Sequence, residues 1–143
     1  MPRIARCCCG SLRAEATGEP ALVAACHCME CQRRTGSPFG VATYFPKEQV
    51  RTEGPNKVYE RGSDSGRKVE LHFCPDCGST VFWQAEYVRD LIGIALGAFA
   101  DLSVPWPTLS GWEVTMHPWV TFDHELDHLR KQEELEGTVR LRS

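Results

Sequence analysis

Phe73-Cys74-Pro75-Asp76-Cys77-Gly78-Ser79 is the stretch from which this chain can be read. In a C-P-x-C-G turn two sulfurs come to one point, and the glycine permits the positive φ that closes it. Alone, such a pair suits redox chemistry as well as a metal. Two further groups tilt the choice toward metal: Cys7-Cys8-Cys9, and Cys26-His27-Cys28-Met29-Glu30-Cys31. In extended chain, residues i and i+2 point to the same side. Cys7 and Cys9 can then share an ion while Cys8 points away. Cys26 and Cys28 can do the same with His27 turned elsewhere, and Cys31 follows at C-x-x-C spacing and can turn back to that ion.

These are seven credible ligands. A structural zinc takes four protein ligands, whereas a catalytic zinc takes three and leaves one position open. The count fits one closed and one open site. Spacing leaves the pairing undecided: Cys7 and Cys9 can join Cys74 and Cys77, leaving Cys26, Cys28 and Cys31 as the open site. Alternatively, Cys28 and Cys31 can join Cys74 and Cys77 as in a zinc ribbon, stranding Cys7, Cys9 and Cys26. Soft thiolates in these numbers favour zinc over other metals. Four disulfides are the rival use of eight cysteines, and a purely structural role for all the metal is the rival function.

Working outward, the chain has 143 residues, enough for one domain, and 42% of them are apolar, enough for a core. The net charge of −3 argues against a nucleic-acid binder, which needs a basic face. Loading seven thiolates with two Zn²⁺ would take it to about −6. The stretch MPRIARCCCG has no apolar core and no small-residue cleavage site, so it does not read as a secretory signal. The longest uncharged apolar run, Leu91–Ala100, is fenced by Asp90 and Asp101. It falls well short of the roughly 20 residues a membrane helix needs, and reads as a buried strand. These features predict a soluble, cytoplasmic chain with reduced thiols and no membrane or nucleic-acid partner.

Glycine and proline cut the sequence into short pieces, as many strands and turns require. The pattern predicts strands at Arg3–Cys9, Ser11–Ala16, Leu22–Cys28, Gly40–Phe45, Lys57–Arg61, Arg67–Phe73, Thr80–Gln84 and Leu91–Ala98. Short strands at Val114–Met116 and Trp119–Phe122 follow, with turns at Pro46–Val50 and Ser63–Gly66. From Asp123 the chain turns charged, with helix formers through residue 136, and reads as a short C-terminal helix or tail. Residues 1–126 are thus expected to form the zinc-binding domain and 127–143 the tail.

With these motifs in order, the sequence resembles the glutathione-dependent formaldehyde-activating enzyme family, of which centromere protein V is a eukaryotic relative. The resemblance rests on C-x-C-G (Cys7, Cys9, Gly10), C-H-C-x-x-C-x-R-x-T-G-S-P-F (Cys26 to Phe39) and F-C-x-x-C-G-S (Phe73 to Ser79). It continues through Gly97, Asp101-Leu102, Pro107 and Pro118-Trp119, and covers roughly residues 5–126. It implies a mainly β fold, a zinc-bound β-tent of short antiparallel sheets. It assigns Cys7, Cys9, Cys74 and Cys77 to a structural zinc and Cys26, Cys28 and Cys31 to an open, catalytic one. It also implies carbon–sulfur lyase chemistry, joining a thiol such as glutathione to formaldehyde or splitting the adduct. The chain departs from the family pattern at Ser110, where many members carry a histidine, and at Gln32, where a basic residue is common.

An open zinc site suits this chemistry because a bound thiol ionises at neutral pH and then adds to an aldehyde carbonyl. Glutathione is anionic, so cations near Cys31 would help. Arg33 and Arg34 are the candidates, with Arg67 and Lys68 behind them, and Thr35-Gly36-Ser37 as hydroxyl or backbone donors. The expected partners are therefore a small thiol and an aldehyde, handled by a monomer or homodimer. The alternatives are a non-catalytic zinc-stabilised binding module and a thiol- or zinc-handling protein.

Overall fold

The structure is a computed structural model, and it describes residues 2–63 and 66–131. In chain order its elements are β1 (Arg3–Arg6), β2 (Arg13–Ala16), β3 (Leu22–Cys26), α1 (Met29–Thr35), β4 (Gly40–Pro46) and β5 (Val50–Glu53). They continue with β6 (Lys57–Arg61), β7 (Val69–Phe73), β8 (Thr80–Ala85), β9 (Leu91–Ala95), β10 (Leu109–Gly111) and β11 (Asp127–His128). The fold is mainly β, as expected. A three-stranded sheet has the order β1-β2-β5, and an eight-stranded sheet the order β11-β10-β3-β4-β9-β8-β7-β6. All pairings are antiparallel except those of β10, which runs parallel to β3 and to β11.

Period-two alternation gives the large sheet two apolar faces. Phe45, Ile92 and Ile94 pack with Ala5, Leu12, Ala14 and Ala16, which closes the small sheet onto the large one. Leu22, Ala42, Tyr44, Leu71, Trp83 and Leu109 gather in a second cluster. Between β7 and β8 the register slips, since His72 faces Phe82 and Phe73 faces Thr80. The extra residue, Val81, is fully buried beside Phe82 in the first cluster, next to the Cys74–Cys77 turn.

Several elements differ from the sequence expectation. Met29–Thr35 is a helix in a segment where the sequence pattern predicts no element. It is short and buries no residue completely, so it carries no apolar periodicity to reveal it. Its signals are at its ends: the Cys28 sulfur accepts the Cys31 N–H at 3.3 Å, and the Gly36 N–H returns to the Gln32 carbonyl at 2.8 Å. Glu30 in its first turn and Arg33 and Arg34 in its last suit the helix dipole. The expected strand at Val114–Met116 is replaced by a 3₁₀ turn over Glu113–Thr115, and Trp119–Phe122 forms no strand. The nearby strand is β10, an apolar-poor triplet (Leu109-Ser110-Gly111) that pairing with β3 creates. β5 follows the expected turn and completes the small sheet. Residues 123–131 hold no helical turn; β11 joins the sheet edge there and Leu129 is buried. The rest of the expected helix or tail, residues 132–143, lies outside the described residues. Among the described residues no helix is long and apolar enough to cross a membrane.

Candidate functional site

All eight cysteines are free thiols, and seven of them fall into two groups. In each group the sulfurs lie within 4.8 Å of one another. The first unites Cys7 and Cys9 with Cys74 and Cys77. Their two turns are built alike: the Gly10 N–H bonds to the Cys7 carbonyl at 3.1 Å, and the Gly78 N–H to the Cys74 carbonyl at 2.9 Å. Gly10 and Gly78 sit at φ +84° and +78°, a region that L side chains avoid. Cys7 and Cys9 therefore meet through a turn and not through extended chain. Ser79 joins the two turns, its hydroxyl accepting the Cys8 N–H at 3.2 Å. Cys8 itself is exposed and outside the group.

The spacing in this first group tests its fit to zinc. Cys9 lies 3.6 Å from Cys7 and 3.6 Å from Cys74, sulfur to sulfur. Four ligands set tetrahedrally at the Zn–S distance of about 2.3 Å stand about 3.8 Å apart. A disulfide would need about 2.05 Å. Two of the thiols, Cys77 and Cys7, are shifted toward ionisation, whereas at Cys9 the lowering contacts of Ser11 are outweighed by the neighbouring Cys7 and Cys74 and the thiol is pushed up. The Ser79 hydroxyl and N–H hold Cys77 down to about 5. Burial pushes Cys7 up, but the Leu12 N–H and the Cys9 and Ser11 side chains bring it down to about 7. The donor set fits zinc, and the zinc-ribbon alternative is not what the fold assembles.

The second group is Cys26, at the end of β3, Cys28, at the N-cap of α1, and Cys31, in its first turn. Among the described residues no fourth His, Cys, Asp or Glu joins it. Hydrogen bonds from Cys26 and Cys28 hold the Cys31 thiol down to about 3 against the effect of burial, and Arg34 and Arg61 add their charge. The same contacts push Cys26 well above its ordinary value. Within the trio the contacts favour negative charge on Cys31 over Cys26 and Cys28, and this donor set also fits zinc.

Of the expected basic residues, Arg34 reaches this group and Arg33 does not. Arg33 is exposed and pairs with Glu30 at 3.3 Å. Arg34 lies over the Trp83 ring, 4.5 Å from its centroid, and lines a cavity together with all three cysteines. Arg61, at the end of β6, lines the same cavity; it is buried, and its Nε has no partner among the described residues. The sequence reading missed Arg61, which lies far from the cysteine motif in the chain. Its signal was present only as an inward-facing arginine closing a predicted strand. Lys68 pairs with Glu60 at 3.3 Å, away from the cavity. Thr35 and Ser37 are exposed, their hydroxyls donating to the Cys31 and Phe39 carbonyls at 2.9 Å, and Gly36 caps the helix between them.

His27 and its surroundings are the second thing the sequence reading missed. The ring is fully buried, with Nε2 2.9 Å from the Ser110 hydroxyl and its faces near Phe39 and Phe122. Gln32 donates to the His27 carbonyl at 2.9 Å and to the Thr115 carbonyl at 3.1 Å, and accepts from His117 at 2.9 Å. Ser110 and Gln32, the two departures from the family pattern, therefore converge on the residue between Cys26 and Cys28.

Comparison with known proteins places these features. The sequence model of the family described as glutathione-dependent formaldehyde-activating enzyme matches residues 2–121. A Fusarium vanettenii protein named "Putative glutathione-dependent formaldehyde-activating enzyme" is 34% identical over 92 residues, covering 62% of this chain and 48% of that protein. The chain thus spans about half the length of this curated relative. A crystal structure of a Rhodobacter sphaeroides protein has a TM-score of 0.56 to this one at 21% identity, covering 72% of this chain and 98% of that one; the likeness is one of fold. With the family match running from residue 2 to residue 121 and taking in all three cysteine motifs, the chain belongs to the glutathione-dependent formaldehyde-activating enzyme family.

Proposed function

We propose that this protein is a zinc-dependent carbon–sulfur lyase that forms or cleaves a thiol–aldehyde adduct of the S-hydroxymethylglutathione type. In this reading Cys7, Cys9, Cys74 and Cys77 hold a structural zinc, and Cys26, Cys28 and Cys31 hold a second. At the three-cysteine group zinc supplies stabilisation of a thiolate at neutral pH. The observation that carries the reading is that this group has three donors, no fourth side chain among the described residues, and a cavity at its open side.

The chain's own residues do the rest. Arg34 and Arg61 attract the anionic thiol and orient it beside Cys31. The thiol sulfur adds to the aldehyde carbon, the carbonyl π pair passes to oxygen, and that oxygen takes a proton. Cleavage runs the same steps backward. Three protein thiolates weaken any electrophilic role, so capture and orientation of the thiol matter more than polarisation of the carbonyl. The Tyr44 and Tyr87 hydroxyls, 3.3 Å apart in the cavity wall, stay protonated because burial raises both. They give the cavity its hydrogen-bonding end.

The test is NMR exchange between glutathione and formaldehyde, with wild type and Cys28→Ser at matched concentration. Acceleration by wild type alone supports the lyase. Equal exchange with both across several thiols and aldehydes would return the protein to a non-catalytic, zinc-stabilised module.

A further inference from the structure

The cavity beside Cys26, Cys28 and Cys31 holds about 70 Å³. Its walls are mostly apolar, with Leu22, Leu71, Trp83, Leu109 and Trp112 among them, and each of these five is buried. Its only charged lining side chains among the described residues are Arg34 and Arg61, apart from the cysteines. Neither reactant of the reading above fills the apolar part of this chamber. Glutathione is polar and ionic along its length, and formaldehyde brings a single carbon.

A second, more open groove borders the first. It is lined by Glu30, Arg33, Tyr59 and Phe73, and it shares Arg34, Arg61 and Leu71 with the cavity. Two adjoining spaces therefore meet at two arginines beside the three sulfurs. The first is the more enclosed of the two, and the second opens further to solvent with the Arg33–Glu30 pair on its wall. A bimolecular addition needs two reactants approaching one sulfur from different sides, and the two spaces offer them separate seats.

Resting on the lyase reading, we propose that the cavity seats the apolar substituent of an aldehyde larger than formaldehyde, while the anionic thiol enters along the groove past Arg34 and Arg61. At about 10–15 Å³ for each water-sized group, the cavity has room for roughly five heavy atoms. The substrate class is thus a short-chain or branched aliphatic aldehyde of about four to six carbons. The step is the one already written: the thiol gives up its S–H proton, the sulfur lone pair forms the C–S bond, the carbonyl π pair passes to oxygen, and the oxygen takes one proton in place of the one the sulfur released. Each methylene moved from water into the cavity favours binding about fourfold.

The experiment uses the full, zinc-loaded chain with glutathione and a series of formaldehyde, propanal, 2-methylpropanal and pentanal. Exchange is expressed as acceleration over the uncatalysed exchange of the same aldehyde. Saturation-transfer NMR on the aldehyde methyls reports binding separately from turnover. Acceleration is expected to rise at least about tenfold from formaldehyde to 2-methylpropanal or pentanal, with strong transfer to the chain methyls. Ala42→Leu, which fills the cavity from β4, is expected to remove that rise; the wild-type series decides the matter if this variant does not fold. Acceleration that is largest for formaldehyde and falls with chain length would overturn the inference and leave the lyase reading standing. Methyl saturation without exchange for any aldehyde would uphold the cavity assignment and remove the lyase. Absence of both exchange and saturation would end both.

Discussion

The guanidinium of Arg34 lies over the indole of Trp83, 4.5 Å from the ring centroid. This cation–π contact joins the last turn of α1 to the middle of β8 and sets an arginine beside Cys31. Trp83 can lie there because its partner across the ladder is Gly93, against which the indole packs so closely that a Cβ would overlap its Nε1.

Gly93→Ala should therefore cost about 1–3 kcal/mol of stability, the usual range for overpacking a filled site. It should also move Trp83 and release Arg34. Denaturant unfolding gives the first quantity, and a change in tryptophan emission of the folded protein gives the second. An unaltered emission spectrum with full stability would mean that the indole has room the packing denies.

Arg34→Gln and Arg61→Gln should each raise KM for an anionic thiol about tenfold or more, since a charge-assisted hydrogen bond contributes about 1.5–3 kcal/mol. Arg33→Gln is the comparison. Its side chain is 73% exposed and paired with Glu30 in the same helix, so its removal should change KM less than about threefold. Steady-state kinetics with glutathione, repeated with an uncharged thiol, separates charge from packing: the uncharged thiol should show little difference among the three variants.

Serine substitutions should sort the two cysteine groups by role. Cys74 is fully buried, and Cys74→Ser should remove zinc from this group and unfold the domain. Structural zinc contributes about 10–16 kcal/mol to folding in small domains, comparable to the whole stability of a protein this size. Cys28→Ser should also lose a metal, yet keep near-wild-type circular dichroism, because the core clusters do not depend on that turn. Metal analysis with thermal unfolding checks both.

His27 should make stability fall with pH. Burial lowers its pKa below the ordinary 6.5, so the unfolded chain takes up the proton first as pH drops. The folded state then loses stability below about pH 6.5 and down to the lowered value, and keeps it above. Protonation of cysteines adds to the slope at low pH in every variant. His27→Leu should flatten the stability curve between pH 7 and 5.5 relative to wild type, while losing the hydrogen bond to Ser110. Urea unfolding across that range supplies the comparison, and parallel curves would place the titration elsewhere.

Much of the candidate ligand set was legible because it is local. Cys74-Pro75-Asp76-Cys77-Gly78 and Cys28-Met29-Glu30-Cys31 bring their sulfurs together within a few residues, whatever the rest of the chain does. The alternation of Val69, Leu71 and Phe73 likewise announced β7 without any partner strand. Helix α1 was hidden because a short helix with no fully buried residue leaves no period to count. β10 was hidden because three residues of Leu-Ser-Gly become a strand only when β3 and β11 offer them hydrogen bonds.

The pairing of Cys7 and Cys9 with Cys74 and Cys77 belongs to a different level. Spacing allowed two solutions, and the packing of the small sheet on the large one selects one by carrying the N-terminal turn to the end of β7. Arg61 and the apolar cavity have the same origin: no local pattern marks an arginine at the end of β6 as a neighbour of Cys31. Ligand types and count are properties of short segments, set by backbone geometry over a few bonds. The electrostatics and shape around them are sums over strands far apart in the chain, which only burial and sheet register bring into contact.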